Sequence, residues 1–259
     1  MYLRAAHTDM HLPTLYKFIV NNPLGIFTTS LPSPNFHTIQ SSHIPWVLDI
    51  PDSDSDSDSD SNSETTPAPK ARLRGHLARA NPQTKALIET ATQTSSNTLQ
   101  SEVMILFNGP SHHYITPKFY VETKPTTGKV VPTWNYSAVQ VYGTATIHFD
   151  TSSPATGEFL TTQINDLSKQ SEEKVFGFTG KDGREKAWSV DDSPESYVKL
   201  LKKAIIGIEI EVESIAGKFK MSQELKEGDR EGVVKGFEAL RTDEGDEIAR
   251  TVRERGEKA

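Results

Sequence analysis

The chain has 259 residues, 35% of them hydrophobic, and no cysteine. This composition excludes disulfides, zinc–thiolate sites and cysteine-ligated iron–sulfur clusters. The mean hydropathy is -0.52, no apolar stretch approaches the roughly 20 residues of a membrane-spanning helix, and the N-terminus lacks the apolar core of a secretory signal. We therefore expect a soluble protein of the cytoplasm, with the nucleus as the alternative, built from one large or two small domains.

The formal net charge of -7 is concentrated in one segment. Residues 51–64 hold five Asp, one Glu and no Lys or Arg, so the rest of the chain is close to neutral. Such a segment buries no apolar surface and repels itself, which predicts a disordered loop at 51–69. Phosphorylation by an acidophilic kinase is a second hypothesis for this loop. It rests on four serines with an acidic residue three positions on: Ser53, Ser55, Ser57 and Ser61.

In the N-terminal half, hydrophobic periodicity predicts two helices among several short strands. The first helix is capped by Asp9 and carries Leu12, Leu15, Phe18 and Ile19, and the second is capped by Asn81 with Pro82 at its first position. The predicted strands are residues 26–29, 43–48, 71–78, 102–107 and 113–116. The run at 102–107 is almost continuously apolar, which indicates burial on both faces.

The C-terminal half has the clearest strand pattern, at residues 137–149, and a second alternating strand at 206–213. Helices are predicted near 159–174, from Ser193 onward with Val198, Leu201 and Ile205, and in the last thirty residues with Val233, Val234, Phe237 and Leu240. Many short strands with a few helices favour a compact α+β barrel over a doubly wound sheet.

Several sequence motifs of common enzyme classes are missing. The chain has no GxGxxG after a strand, no GxxxxGK[ST], no HExxH and no GxSxG. His112 and His113 are adjacent, and in a strand they would point to opposite faces, so they do not predict a shared metal site. We expect no metal site, and no general acid or base stands out.

The segment at residues 75–82 places a histidine and an arginine where a strand ends and a helix begins. A phosphate there could use the Arg79 guanidinium and the free amides at the helix N-terminus. The alternative is that Asn81 only caps the helix and Arg79 pairs with a surface carboxylate. In an unbroken strand His76 and Arg79 face opposite sides, so one shared ligand requires a bend near Ala78.

Two further segments combine residues suited to a flat, charged ligand. Residues 131–136 contain Trp134, Tyr136 and the polar Thr133 and Asn135, a mixture that suits a heteroaromatic ring; the alternative is a turn with Trp134 anchored in the core. Lys218 and Lys220 lie on one face of an extended segment, where they could bind an anion or form a solvated edge-strand pair.

Eight stretches, in this order, resemble the PaiB-type family of FMN-binding split-barrel proteins, whose members often carry the description of negative transcriptional regulators. The stretches are MYLRAAHTD, NNPLGIFTT, SSHIPWVLD, LRGHLARANPQ, LFNGPSHHYITPKFY, VVPTWNYSAVQVYG, IIGIEIEVESIAGKFKMSQ and DREGVVKGF. They span Met1 to about Phe237. The resemblance implies an α+β fold: a six-stranded, antiparallel, Greek-key-like split β-barrel with peripheral helices, forming a homodimer with FMN at the subunit interface.

The resemblance also implies positions for the cofactor. The region that holds the ribityl phosphate matches His43, His76, Arg79 and Asn81; the edge of the isoalloxazine ring matches Thr133, Trp134 and Asn135; and a C-terminal block matches Lys218, Lys220 and Ser222. Two residues depart from the family pattern. Glu224 stands where Asn is usual after Ser-Gln, and Phe119 stands where Trp is favoured.

We thus expect an FMN-binding domain at residues 1–237 and a charged, partly helical tail at 238–259. The leading hypothesis is a flavin-dependent redox or flavin-sensing protein, in which the chemistry belongs to the cofactor. Two alternatives are a transcriptional repressor of the PaiB type acting on DNA and a haem-binding or haem-handling protein. The first is weakly supported, because no helix-turn-helix and no strongly basic face is evident.

Overall fold

The computed structural model describes residues 1–51 and 70–257. The loop predicted at 51–69, including the four serines named above, lies outside the described residues except for Pro51. The chain divides into two compact units, each described by itself below. Unit 1 contains Met1–Asn22, Leu106–Gln140 and Ile215–Ala259, and unit 2 contains Pro23–Ile105 and Val141–Ser214. Within the described ranges no helix is long and apolar enough to cross a membrane.

The described part of the chain contains nine strands and seven α-helices. The strands are β1 (Thr8–Asp9), β2 (Leu24–Ser30), β3 (Ile39–Pro45), β4 (Val47–Asp49), β5 (Arg72–Ala78), β6 (Val103–Asn108), β7 (His113–Ile115), β8 (Thr133–His148) and β9 (Ile205–Lys220). The helices are α1 (Leu12–Asn21), α2 (Pro82–Thr94), α3 (Thr123–Thr127), α4 (Pro154–Ser171), α5 (Glu195–Lys203), α6 (Glu227–Glu238) and α7 (Asp243–Gly256). The predicted α+β class is confirmed.

The sheet has the strand order β3-β2-β6-β8-β9-β5-β4. Strands β2 to β5 lie in unit 2, together with residues 103–105 of β6, 141–148 of β8 and 205–214 of β9. The pairs β2–β3, β4–β5 and β5–β9 are antiparallel, as expected. Six of these strands have six or more residues, the number that the resemblance implies. Alternate residues point into the core of the unit, where large side chains are fully buried: Phe27, Leu31, Ile44, Trp46, Leu73, Leu87 and Ile105.

Helix α2 begins as the sequence predicts. The side chain of Asn81 accepts a hydrogen bond of 2.8 Å from the backbone N–H of Gln83, and Pro82 occupies the first helical position. This cap satisfies one of the backbone donors that the first turn leaves unpaired. Helix α4 starts at Pro154, five residues before the predicted position, and continues into a single π-helical turn at Glu172–Phe176.

Unit 1 is held together by its C-terminal helices. Its buried cluster combines residues of β7, α6 and α7 with Tyr120 and Met221: Ile115, Tyr120, Met221, Val233, Val234, Phe237, Ile248, Ala249 and Val252. Residues 243–256 of the predicted tail therefore form a packed helix, while the domain boundary at 237 stays a prediction. In the same unit, β1 pairs with β9 and β7 pairs with β8.

Three local expectations are wrong. Helix α1 begins after His11, and Asp9 instead accepts from the His11 N–H at 3.0 Å and pairs with Arg255 at 2.6 Å. The strand predicted at 43–48 is interrupted at the buried Trp46, whose N–H donates to the Pro23 carbonyl at 2.9 Å. Strand β6 is fully buried on one face only.

A fourth departure concerns apolar residues of two helices. Leu201 of α5 is 48% exposed and Leu240, just after α6, is 45% exposed. Periodicity identifies the apolar side of a helix but not the body against which that side packs.

Candidate functional site

At the junction between β5 and α2, the side chains of His76, Arg79 and Asn81 are bonded to different parts of the chain. They therefore do not form one ligand site by themselves. Strand β5 ends at Ala78, so Arg79 lies beyond it, at the bend that the sequence argument requires. His76 makes a 2.8 Å hydrogen bond between its Nδ1 and Oε1 of Gln163. Asn81 donates from Nδ2 to the hydroxyl of Ser42 at 2.9 Å. These contacts direct the two side chains to α4 and to β3.

Arg79 is committed to the backbone of unit 2. Its Nε donates to the carbonyl of Lys203 at 3.0 Å, and one amino nitrogen donates to the carbonyl of Phe149. Arg79 makes no direct ion pair with a described carboxylate, although the pKa of Asp150 is lowered by hydrogen bonds from Ser152 and also by the charge of Arg79. The capping role of Asn81 is confirmed. His43 is exposed on β3, opposite Ile26. That these four residues hold a ribityl phosphate stays a prediction.

A groove lies between β3 and the start of α2, with a volume of about 590 Å³. We call it the α2 groove; its polar lining residues are His37, Gln40, Ser41, Ser42, Asn81 and Gln83. Gln83 is 1% exposed and its Nε2 donates to Phe27 and Gln40 carbonyls, both at 3.2 Å, and to the Thr29 hydroxyl at 3.1 Å. This amide thereby fixes the wall of the groove to two strands.

Two polar atoms of the α2 groove residues are left without partners. The Nε2 of Gln40 and the Oε1 of Gln83 are buried and make no hydrogen bond within the described part of the chain. An unpaired buried donor or acceptor costs about 1–3 kcal/mol. A polar ligand that supplies the missing partners would remove this cost, so these atoms favour a binding site over a mere surface depression.

The α2 groove offers the donor set that a phosphorylated flavin requires. The hydroxyl of Ser42 and the amide of Gln40, which lie two positions apart on one face of β3, can bond to a polyhydroxylated chain. The positive end of the α2 helix dipole favours an anion such as phosphate, although Pro82 has no N–H and the Gln83 N–H is bonded to Asn81. The residues present therefore fit the ribityl phosphate portion of FMN.

A second group of residues singled out by sequence meets in unit 1. The Nζ of Lys220 donates to the hydroxyl of Thr133 and, at 2.9 Å, to the carbonyl of Trp134. Asn135 and Ser222 exchange two hydrogen bonds of 3.0 and 3.2 Å and are both buried. Two sequence blocks separated by more than 80 residues thus form one cluster.

This cluster contains a hydrogen bond that sequence reasoning missed. His7 is 4% exposed, and its Nε2 lies 2.9 Å from Oε2 of Glu224, whose other oxygen lies 3.9 Å from the ammonium of Lys220. Burial lowers the pKa of Lys220, although Glu224 opposes the shift. Burial works to raise the pKa of Glu224, but the hydrogen bond from His7 and other contacts outweigh it and lower that pKa. The signal for His7 was its place in the first matching stretch, MYLRAAHTD.

Lys218 and Trp134 decide two of the alternatives left open by the sequence. Lys218 is only 8% exposed, and its ammonium lies 5.6 Å from the ring centre of Tyr2 and 5.4 Å from that of Tyr136. The solvated edge-strand pair is therefore wrong. Trp134 is 53% exposed, so it is not anchored in the core. The centre of its ring lies 6.2 Å from that of Tyr114. The roles of these residues toward a flavin stay predictions.

Comparison with known proteins identifies relatives along the whole chain. An uncharacterized protein of Aspergillus fumigatus is 56% identical over 263 residues, which cover 99% of this chain and 98% of that protein. The protein "Protease synthase and sporulation protein PAI 2" of Bacillus subtilis is 28% identical over 162 residues, 62% of each chain. Among solved structures, the flavocytochrome Anf3 of Azotobacter vinelandii matches with a TM-score of 0.42 and 10% identity, covering 84% of this chain and 72% of the other.

A family model with the description "Putative FMN-binding domain" matches residues 1–214. The match includes β1–β8, most of β9, and every residue of the α2 groove. The predicted resemblance to FMN-binding proteins is thereby confirmed, and the chain belongs to this FMN-binding domain family.

Proposed function

We propose that this protein binds FMN as a homodimer and uses it for redox chemistry or flavin sensing. The observation that carries the proposal is the family match over residues 1–214. The unpartnered amide atoms of Gln40 and Gln83 in the α2 groove support it independently, because they mark a place for a polar ligand.

The α2 groove would hold the ribityl phosphate of FMN. Gln40 and Ser42 lie two positions apart on β3 and so share one face of the strand, and the first turn of α2 lines the same groove. Bonds from Gln83 to β2 and β3 keep this wall rigid, which reduces the entropy lost on binding. When bound, the flavin supplies hydride or electron transfer, and the task of the chain is to bind and orient it.

A titration of the purified protein with FMN tests this assignment. Gln40→Met removes the unpartnered amide while keeping the length of the side chain, and we expect it to weaken FMN binding about three- to tenfold, as for the loss of one hydrogen bond. Gln93→Met is the matched control, because Gln93 is exposed on α2 outside the groove. Flavin fluorescence quenching measures both dissociation constants.

Two results would count against the proposal. Wild-type protein that remains colourless after purification and takes up no added FMN would reject flavin binding itself. FMN binding that is equally strong in wild type, Gln40→Met and Gln93→Met would place the flavin away from the α2 groove.

The proposed contact of Trp134 with the flavin ring is tested separately. An exposed indole can stack on a flat heteroaromatic ring, a contact worth about 0.5–1.5 kcal/mol beyond the buried area. Trp134→Ala is therefore expected to weaken flavin binding about threefold or more. Trp188→Ala is the control, since Trp188 is 47% exposed, close to the 53% of Trp134, and does not line the α2 groove. Equal effects of the two variants would contradict a specific contact of Trp134.

The proposed homodimer is measured by light scattering coupled to size-exclusion chromatography. We expect a mass near twice 28.7 kDa, retained on dilution when FMN is present. If the flavin is shared by two subunits, FMN binding and dimer formation stabilise each other. A monomeric protein that binds FMN with full affinity would contradict the shared site without contradicting flavin binding.

A further inference from the structure

Helix α5 leaves three large apolar side chains exposed: Tyr197 to 54%, Leu200 to 65% and Leu201 to 48%. No residue of α5 is buried. The Nζ of Lys202 donates to the hydroxyl of Thr161 in α4 at 2.7 Å, whereas Lys199 and Lys203 are exposed.

Those lysines line a cavity of about 230 Å³ between α4 and α5. We call it the lysine pocket; its walls are Thr151, Thr156, Leu160, Lys199, Lys202 and Lys203. Lys199 is paired with Glu195 at 2.6 Å and Lys202 is bonded to Thr161. The ammonium of Lys203 makes no ion pair or hydrogen bond with the described residues. Even with the Glu195 carboxylate counted, the pocket keeps an excess of positive charge.

The side chain of Thr156 also lines this pocket. Thr156 is 5% exposed and lines the pocket, yet its side chain makes no hydrogen bond within the described residues. It lies in the first turn of α4, whose N-cap residue Ser153 makes no side-chain cap. The hydroxyl and the uncapped first turn both offer donors to an anion.

Arg79 holds two walls of the lysine pocket in place. Its guanidinium bonds the carbonyl of Lys203, at the end of α5, and that of Phe149, two residues before Thr151. Its backbone N–H also donates to the carbonyl of Ala204 at 2.8 Å. Arg79 thereby acts as a positioning residue that keeps the end of α5 beside the segment leading into α4.

We propose that the lysine pocket binds a phosphate monoester group. Ammonium groups, a hydroxyl and helix N–H groups are the donors that a phosphate dianion requires. The volume is below the roughly 300–1,000 Å³ of sites that enclose a whole drug-sized ligand, so it suits one phosphate group with the adjoining atoms. Leu160 provides the apolar contact for those atoms. The pocket is distinct in its lining residues from the α2 groove, and this proposal does not depend on flavin binding.

Isothermal titration of the full chain with inorganic phosphate, at constant ionic strength, tests the proposal. We expect Lys203→Gln to weaken phosphate binding about fivefold or more, as for loss of a charge-assisted contact, and Thr156→Val to weaken it about two- to tenfold. The matched controls are Lys169→Gln and Thr162→Val, because both residues are exposed on α4 and do not line the pocket. The controls are expected to bind phosphate within about twofold of wild type.

Two results would overturn the proposal: no phosphate binding by wild-type protein, or equal loss in the pocket variants and their controls. Circular dichroism spectra establish that each variant is folded. A comparison of FMN with riboflavin on the same variants then identifies the source of the phosphate. Selective loss of FMN affinity assigns the flavin phosphate to the lysine pocket in place of the α2 groove, whereas unchanged FMN affinity with weakened inorganic phosphate binding assigns the pocket to a separate phosphorylated ligand.

Discussion

The amide of Asn135 and the hydroxyl of Ser222 bond each other twice in the interior of unit 1. The Asn135 Nδ2 donates to the Ser222 Oγ at 3.0 Å, and the hydroxyl lies 3.2 Å from the Asn135 Oδ1. The two residues are 0% and 1% exposed. This pair joins the start of β8 to the turn that follows β9, and so positions Trp134 and Lys220 on either side.

The first prediction follows from the burial of this pair. Asn135→Ala and Ser222→Ala each leave a buried polar group without a partner, so we expect each to lower the free energy of unfolding by about 1–3 kcal/mol. The double variant should lose less than the sum of the two. Urea denaturation measures all three, with Ser101→Ala as the control because Ser101 is exposed.

The backbone at Ser222 allows a sharper comparison. Its φ is +63°, a conformation that glycine adopts without the steric cost of a Cβ. We expect Ser222→Gly to be less destabilising than Ser222→Ala, since both remove the hydroxyl but only alanine retains the strain. Strictly additive losses in the double variant, or equal stability of Ser222→Gly and Ser222→Ala, would contradict this account.

The second prediction concerns Arg74, which bonds two carboxylates in unit 2. Its guanidinium lies 2.5 and 2.7 Å from the carboxylate oxygens of Asp49 and 2.8 Å from Asp166. The hydrogen bond to Asp49 is the largest cause that raises the Arg74 pKa. Arg74→Met leaves both carboxylates without a cation. Because the two carboxylates are 42% and 43% exposed, solvent limits the expected loss to about 1–3 kcal/mol.

Arg72 is the matched control for this substitution. It lies on the same strand, its side chain is 53% exposed, and its contact with Glu209 is 3.8 Å long. Arg72→Met is expected to change the free energy of unfolding by less than about 0.5 kcal/mol. Chemical denaturation of both variants would refute the assignment if Arg72→Met proved as destabilising as Arg74→Met.

The third prediction is a pH dependence of stability that arises from His148. Its ring stacks on Phe159 at 3.9 Å with an angle of 11° between the planes. Burial lowers the pKa of His148 below its ordinary value, although Glu209 opposes the shift. At low pH the imidazole of His148 is therefore protonated more readily in the unfolded chain than in the folded chain. Stability is expected to fall as the pH drops below about 6.5, the ordinary pKa of histidine.

His148→Gln separates this effect from those of other titrating groups. The difference in free energy of unfolding between wild type and His148→Gln should shrink as the pH decreases from about 8 to about 5, because only the wild type loses this contribution. Thermal and urea denaturation at a series of pH values measure that difference. A difference that stays constant, or grows in acid, would mean that His148 does not resist protonation in the folded protein.

The fourth prediction contrasts two glycines of unit 2. A Cβ at Gly143 in β8 would overlap the backbone carbonyl of Glu211 in β9. Gly143→Ala is therefore expected to cost about 3 kcal/mol, because the backbone carbonyl cannot move aside as a flexible side chain can. A methyl group added at Gly157, in α4, would meet no described atom within 4 Å. Gly157→Ala should be neutral or stabilising by up to about 1 kcal/mol. Similar melting temperatures for the two variants would contradict the close strand approach.

Local patterns in the sequence were sufficient for several elements. Alternation identified β5 and most of β8, because in a half-buried strand every second residue faces the core. The Asn81-Pro82 pair marked the start of α2, since a cap is a contact between residues two apart. Contacts such as His7 with Glu224 could not be found this way, because 217 positions separate them and neither residue changes a local pattern.

The sequence by itself determined the family, the α+β class and the residue types available to a phosphorylated flavin. The tertiary structure alone decided how those residues are used: Lys218 is buried near two tyrosine rings, Arg79 donates to backbone carbonyls, and Lys202 of α5 donates to Thr161 of α4. The physical reason is that periodicity records which side of an element is apolar, whereas burial, hydrogen bonding and charge pairing depend on which distant segment packs against it.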